Sequence, residues 1–365
     1  MATYHKVMKT KEYKDFSWKL HQRVGHKPIV AQIELTYRCP LHCKHCYTDC
    51  YNSAEYSKKE LSTKGVKKLL DKCKQANTVW LCFTGGDPLM REDFSEIYLY
   101  AKEQGFIVSI FSSLVTMDKK ILDLFEEFPP FNIETTLNAA TARTYRAITE
   151  RDLFKKQVDS IKQLIANNIE VRVKTQVTKQ NIGEIDKMQS LVERLGKQFR
   201  SSTMLFARLN RDTSPCKLRL EPKEAIRVNK KYGYYDEQCS PAGEKLESET
   251  MITEPSGKLF SCAIGGHAFT VSPEGVMRLC NCLIDPSYDL LEKGASVNSG
   301  FYALHKKIHA MKFKTDSTCR ACKDMLICQW CPARALLENG SLEKPIEYFC
   351  KMTSLIQDCS KIEKI

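Results

Sequence analysis

The chain lacks any apolar run approaching the roughly eighteen residues that a membrane helix needs, so no transmembrane span is expected. Its first residues, Met1-Ala2-Thr3-Tyr4-His5-Lys6, carry charge but no apolar core, so no secretory signal is visible and a cytoplasmic protein is expected. No side chain stands out as a catalytic acid or base. Cysteine is the residue in excess, with 17 in 365 residues. In an intracellular chain that many thiols point to metal rather than disulfides. A hydrophobic content of 42% suffices for a core, and the length suits one large domain with a smaller one.

The formal charge is +12, which raises nucleic acid as a partner. The excess is spread as lysine pairs on helical patterns, and solvated helix faces account for it. Neither nucleic acid nor membrane is therefore expected, and an acidic peptide stays open.

The cysteines fall in two fields. Cys39, Cys43, Cys46 and Cys50 form the first. Cys262, Cys280, Cys282, Cys319, Cys322, Cys328, Cys331, Cys350 and Cys359 form the second. Cys73 and Cys82 between them have the pattern of packing residues. The first field reads C-x3-C-x2-C directly after an apolar run, Ile29 to Leu35. Zinc sites favour C-x2-C or C-x4-C pairs with a second pair to close a tetrahedron. Ferredoxin runs use C-x2-C-x2-C. Three thiolates at the observed spacing can hold three corners of a cubane cluster and leave one iron open. A closed electron-transfer cluster with Cys50 as fourth ligand is the rival.

Segments at Ile29–Thr36, Val79–Phe83, Phe106–Phe111, Phe131–Leu137, the cleanly alternating Val171–Thr178, and Gln198–Met204 read as strands separated by helical patterns. Ser62 and Asp93 stand where helix caps belong. The alternation implies a parallel α/β sheet with right-handed crossovers. Residues 1–27 form a polar, basic extension expected to cap the bottom of the barrel, and 216–260 read as an irregular linker.

The C-x3-C-x2-C motif at Cys39, Cys43 and Cys46, followed on the next strand by Thr84-Gly85-Gly86-Asp87-Pro88, resembles the radical S-adenosylmethionine (SAM) enzymes. The resemblance implies a partial (β/α)6 TIM-like barrel over 28–215. It also implies a SAM-binding [4Fe-4S] cluster on the three thiolates. Gly85, Gly86 and Asp87 stand where the family's GGEP motif meets the amino group of SAM, with Asp in place of Glu. His45 stands where the family has an aromatic residue beside the cluster and adenine. Ser112 and Ser113 replace an Asn-Gly near the ribose. Thr136 and Asn138 align with a Ser and an Asp that help hold the SAM carboxylate, and Arg151 is a candidate partner for it, with Arg143 and Arg146 as rivals.

The second field reads C-x12-G-x4-C from Cys262 through Gly275 to Cys280. Cys319-x2-Cys322-x5-Cys328-x2-Cys331 and then Cys350 follow. Alone, its C-x2-C pairs also suit a zinc knuckle. The arrangement is similar to the SPASM domain, here 261–365, which carries two auxiliary [4Fe-4S] clusters. The last gap is two residues where that family has three. The resemblance implies Cys319, Cys322, Cys328 and Cys350 for one cluster and Cys262, Cys280 and Cys331 for the other. The fourth ligand of the latter is unspecified, with Cys282, His267 or an open iron as options.

By the same resemblance the activity expected is reductive cleavage of SAM to a 5′-deoxyadenosyl radical, followed by oxidative modification of a peptide or protein, such as a thioether or carbon–carbon crosslink. Formylglycine formation in sulfatases is the alternative, and a non-enzymatic iron–sulfur or zinc protein is the reading of another class. An external electron donor such as flavodoxin or ferredoxin is implied. The segment before Cys39 is too short for a fused precursor-binding domain, so leader recognition is expected to fall to a separate protein or to the barrel.

Overall fold

The computed structural model describes residues 25–232, 257–260, 262, 264–325 and 327–357. Most of the N-terminal extension, the second half of the expected linker, Cys239 and Cys359 lie outside the described residues.

Strands β1 (Val30–Thr36), β2 (Trp80–Gly85), β3 (Ile107–Phe111), β4 (Asn132–Thr136), β5 (Val171–Gln176) and β6 (Arg200–Ser202) are all parallel to their neighbours. Helices α1 (Thr63–Gln75), α2 (Phe94–Glu103), α3 (Lys119–Glu127), α4 (Ala142–Thr149), α5 (Phe154–Ala166) and α6 (Ile185–Arg194) lie in the connections. The sheet is open, and it is longer than the expected barrel. Its order is β6-β5-β4-β3-β2-β1-β7-β8-β9, because three C-terminal strands extend it beyond β1. β7 (Ala268–Val271) lies parallel to β1, and β8 (Val276–Arg278) and β9 (Tyr288–Asp289) follow antiparallel. Gly275 makes the β7–β8 turn at φ +89°, where its N–H donates to Ser272 O (2.9 Å). A side chain there would be strained.

Parallel strands covered on both faces read as continuous apolar runs. These alternate instead. Ile33, Phe83, Ile110, Ile133, Val171 and Val173 are 0–1% exposed. They share one core with the buried helix residues Leu69, Leu70, Ile97, Phe125, Ile161 and Met188. The other face carries Gln32, Cys82 and Ser109 in one register row, Phe111, Glu134 and Arg172 in a second, and Thr136, Lys174 and Arg200 in a third. Helices therefore cover one face, and the polar face lines the hollow of the partial barrel.

Two expectations need correction. Asp93 precedes α2 but does not cap it, because its carboxylate is taken by Arg91 at 2.8 and 2.7 Å and by the Thr63 hydroxyl at 2.6 Å. Ser62 does cap α1, accepting from Gly65 N–H. The linker read as irregular contains α7 (Pro222–Tyr232), which buries Ala225, Val228, Asn229 and Tyr232. Its buried face mixes polar and apolar side chains, so its periodicity is weak in the sequence.

The C-terminal region adds α8 (Val297–His309), α9 (Pro332–Asn339) and α10 (Glu347–Gln357). Arg219 ties it to the barrel. Its guanidinium donates to both Glu338 oxygens (2.8 and 2.6 Å) and to Leu205 O (3.1 and 2.9 Å), and it lies over the Tyr348 and Phe349 rings.

Candidate metal and SAM site

The cysteine loop leaves the C-terminal end of β1, where parallel α/β folds place their sites. Asn52 holds it in shape. Its Oδ1 accepts from Cys39 N–H (3.1 Å), and its Nδ2 donates to Cys39 O (3.0 Å) and Leu41 O (3.4 Å). The far side is pinned to the end of α4, where His42 N–H donates to Thr149 O and Lys44 N–H to Ile148 O, both at 3.0 Å. Arg208 braces the loop through Asp49 (3.1 Å), which also meets His42 (3.2 Å).

Cys39, Cys43 and Cys46 come together in this loop. Burial pushes the Cys39 and Cys43 thiols well up, and each is raised further by its neighbouring cysteines. Two thiols that resist ionisation alone fit a cationic metal centre, which supplies the missing positive charge. The Cys50 thiol donates to Tyr47 O (3.7 Å). Among the described residues no group of three or more His, Cys, Asp or Glu is gathered tightly enough for a single metal ion. A cubane cluster bonds each thiolate to a different iron and needs a wider triangle than one ion does.

The Gly-Gly-Asp turn is stitched to this loop, with Gly86 N–H donating to Thr36 O and Asp87 N–H to Arg38 O, both at 2.8 Å. A Cβ on Gly85 would lie 2.1 Å from Thr36 O, and one on Gly86 would lie 2.4 Å from Tyr37 O. The glycines are thus required by the approach of two strand ends. Asp87 is fully buried. Its carboxylate accepts from the Ser112 hydroxyl (2.8 Å), Leu89 N–H (3.1 Å), Ser113 N–H (2.9 Å) and the Ser113 hydroxyl (2.5 Å). Burial raises its pKa, and these donors pull it back. The structure therefore engages Asp87, Ser112 and Ser113 with one another, across the ends of β2 and β3.

Asn138 plays a similar part after β4. Its Oδ1 accepts from Gln176 N–H (3.0 Å), its carbonyl accepts from Asn181 (2.8 Å), and its amide meets His45 Nε2 (3.4 Å). His45 is held down to about pKa 4 by burial and by the charge of Arg208, so it is neutral at pH 7. Its Nδ1 is buried with no hydrogen-bond partner, an orphaned group of the kind a ligand satisfies. Thr136 is half-buried, and its carbonyl accepts from Gln157 (3.1 Å). Arg151 is not brought in. It is exposed, just past the left-handed Glu150 that ends α4, and its guanidinium donates to Glu150 O (2.9 Å). Arg143 and Arg146 are exposed as well.

The sequence reading missed the polar floor of the hollow. Arg278 on β8 pairs with Glu34 on β1 at 2.9 Å, both buried. Asn281 donates to Gln32 (3.2 Å) and is hydrogen-bonded to Tyr47. Lys174 pairs with Glu134 and sits 4.8 Å over the Phe111 ring. The signal was available in the alternation of strands such as VAQIELT and VRVKTQ.

The second cysteine field separates into two groups. Cys319, Cys322, Cys328 and Cys350 are mutual electrostatic neighbours, and the Cys319 thiol is raised to about 11 by burial and then by the other three. Cys262, Cys280 and Cys331 make a second group, which Cys282 joins. The Cys282 thiol donates to Cys280, holding Cys280 low and itself high, and Cys282 N–H reaches Cys280 Sγ (3.4 Å). His267 is stacked 6.5 Å from His26.

Residues 33–191 match the model of the Radical SAM superfamily. Over 174 residues the chain is 26% identical to mycofactocin maturase MftC of Mycobacterium ulcerans and 27% identical to that of Mycobacterium tuberculosis. These matches cover 47% of this chain and 46% and 44% of those proteins, so the chain spans about half the length of the curated relatives it matches. Among solved structures it resembles Streptococcus suis SuiB bound to S-adenosylmethionine, with TM-score 0.66 and 14% identity over 96% of this chain and 83% of that one. It also resembles anSMEcpe with bound S-adenosylmethionine, with TM-score 0.62 and 14% identity over 92% of this chain and 98% of that one. Residues 33–191, which match that model, run from β1 to α6 of an open α/β sheet whose strands β1 to β6 are parallel.

Proposed function

We propose that this chain is a radical SAM enzyme that reductively cleaves S-adenosylmethionine and oxidatively modifies a peptide or protein, in the manner of a ribosomal peptide maturase. The observation that carries this reading is the convergence of three half-buried cysteines at the mouth of a hollow with a polar, half-exposed lining. Two relatives support the substrate class. MftC is a maturase, and SuiB has been seen bound to precursor peptide SuiA.

In this reading Cys39, Cys43 and Cys46 hold the [4Fe-4S] cluster, and the Gly85-Gly86 backbone, His45, Thr136 and the Asp87–Ser112–Ser113 group shape the SAM site. The bound cofactors would supply a carbon-centred radical able to abstract hydrogen from an unactivated C–H bond. The chain does the rest. The thiols release their protons as metal binds. Asn52 and Arg208 keep the loop rigid. Asp87 fixes the turn beside it, and Asn138 orients the neutral His45 ring. The lining residues Lys174, Glu134, Arg172 and Gln32 offer polar contacts to a peptide backbone and its side chains.

Residues 28–215 would form the catalytic unit, and 261–365 would form a SPASM domain with two auxiliary clusters. Cys319, Cys322, Cys328 and Cys350 would hold one, and Cys262, Cys280 and Cys331 the other. A cytoplasmic location and an external donor such as flavodoxin or ferredoxin go with this chemistry. The test is the iron and sulfide content of anaerobically purified protein, followed by dithionite and SAM with detection of 5′-deoxyadenosine. About twelve irons, as three cubanes require, with deoxyadenosine formed is the expected result. A fully reconstituted, reducible protein that forms no deoxyadenosine would overturn the reading.

A further inference from the structure

Four of the eight histidines meet near the starts of β1 and β7, at the end of the sheet opposite the cysteine loop. His305 and His309 stand one turn apart at the end of α8, with ring centres 4.2 Å apart. Their i,i+4 spacing puts both imidazoles on one helix face. His26, on the chain entering β1, brings its ring centre to 5.0 Å from that of His305. The Tyr302 hydroxyl donates to His26 O (3.1 Å) and fixes that main chain to the same helix. His267, just before β7, stacks on the outer side of His26 at 6.5 Å. His309 Nε2 donates to Ile264 O (2.9 Å). That bond leaves the Nδ1 lone pair available, the arrangement of a metal-binding imidazole whose other nitrogen is held by a carbonyl.

We propose that His26, His305 and His309 form a binding site for a late first-row divalent ion, zinc foremost, with water in the fourth position. Zinc–nitrogen bonds are about 2.0–2.1 Å, and a tetrahedral angle then sets neighbouring ring centres about 5 Å apart. The spacings of 5.0 and 4.2 Å are near that value. Among the described residues no three such side chains are gathered tightly enough for one ion as they stand. The exposed His26 ring is the one that turns in to close the site. A bound ion ties together the entry to β1, the end of α8 and, through Ile264, the chain that follows Cys262. The site uses no cysteine, so it stands independently of the radical SAM reading.

The test is zinc uptake by the untagged, anaerobically reconstituted full chain, measured by equilibrium dialysis with metal analysis, together with thermal unfolding with and without zinc. The proteins compared are wild type, His26→Ala and His305→Gln. The expected result for wild type is about one zinc per chain at micromolar free zinc, with unchanged iron and a raised Tm. Affinity should be weaker by about tenfold or more in either variant. His26 is exposed, so its loss tests the ligand rather than the fold. No zinc taken up by iron-loaded wild type, or zinc bound equally by all three proteins, overturns the inference. Zinc that displaces iron to the same extent in all three also overturns it, and places the ion at the cysteines.

Discussion

Replacing Asp87 by Asn changes one atom in a closed network. Each carboxylate oxygen accepts one backbone N–H and one hydroxyl, Leu89 and Ser112 on Oδ1 and Ser113 twice on Oδ2. An amide must put its NH2 in place of one oxygen. The displaced hydroxyl can turn and accept. The displaced N–H cannot, and it is left buried without a partner, which costs about 1–3 kcal/mol. Removing a buried charge offsets part of that, because burial already raises the Asp87 pKa. Against a total stability of about 5–15 kcal/mol the variant still folds. The loss should appear locally, as hydrogen exchange about 5- to 150-fold faster in peptides covering 86–90 and 111–115, since about 1.4 kcal/mol is tenfold. SAM affinity by equilibrium dialysis should fall with it. Unchanged exchange in both segments would refute the argument that this carboxylate holds the turn. Asp87→Glu, the residue usual in the family, should also destabilise, because the extra methylene enters a fully buried position.

Three further outcomes follow from the geometry. Arg219→Met leaves Glu338 unpaired at a partly buried site, so urea unfolding should show a loss of about 3–5 kcal/mol, and a loss below 1 would mean the pair is effectively solvated. Cys46→Ser should lower iron by about four atoms per chain while leaving the C-terminal complement, and a loss of all iron would contradict independent sites. Glu184, despite burial that would raise it, is held below its ordinary 4.5 by the Thr141 and Thr144 hydroxyls and Ala140 N–H. A carboxylate with a depressed folded pKa contributes stability above its unfolded value and loses it as pH falls through the folded one. Glu184→Gln should therefore flatten the decline in stability below pH 4.5, and an acid limb identical to wild type would count against it.

Strands β1 to β6 were legible as short segments, several largely apolar and β5 cleanly alternating, bounded by turn residues and helical patterns. The cysteine loop was legible because its ligand spacing is local. The pairing of β7 with β1 was not, since their register joins Val30 to Ala268 across most of the chain and β7 has only four residues. The role of Asp87 was half legible. Its place after Gly85-Gly86 marked it, but its partners Ser112 and Ser113 lie on the next strand end, and no local pattern announces that meeting.

Because β7 completes the sheet, the C-terminal third is not an accessory that can be trimmed. Ending the chain before Ala268 would strip Val30 to Ile33 of one of their two neighbouring strands and leave β1, which carries the cysteine loop, as a bare strand edge. Such an edge recruits other strands. A chain shortened in this way should therefore precipitate or oligomerise on expression, and biochemical dissection is better done by point substitution in the intact chain.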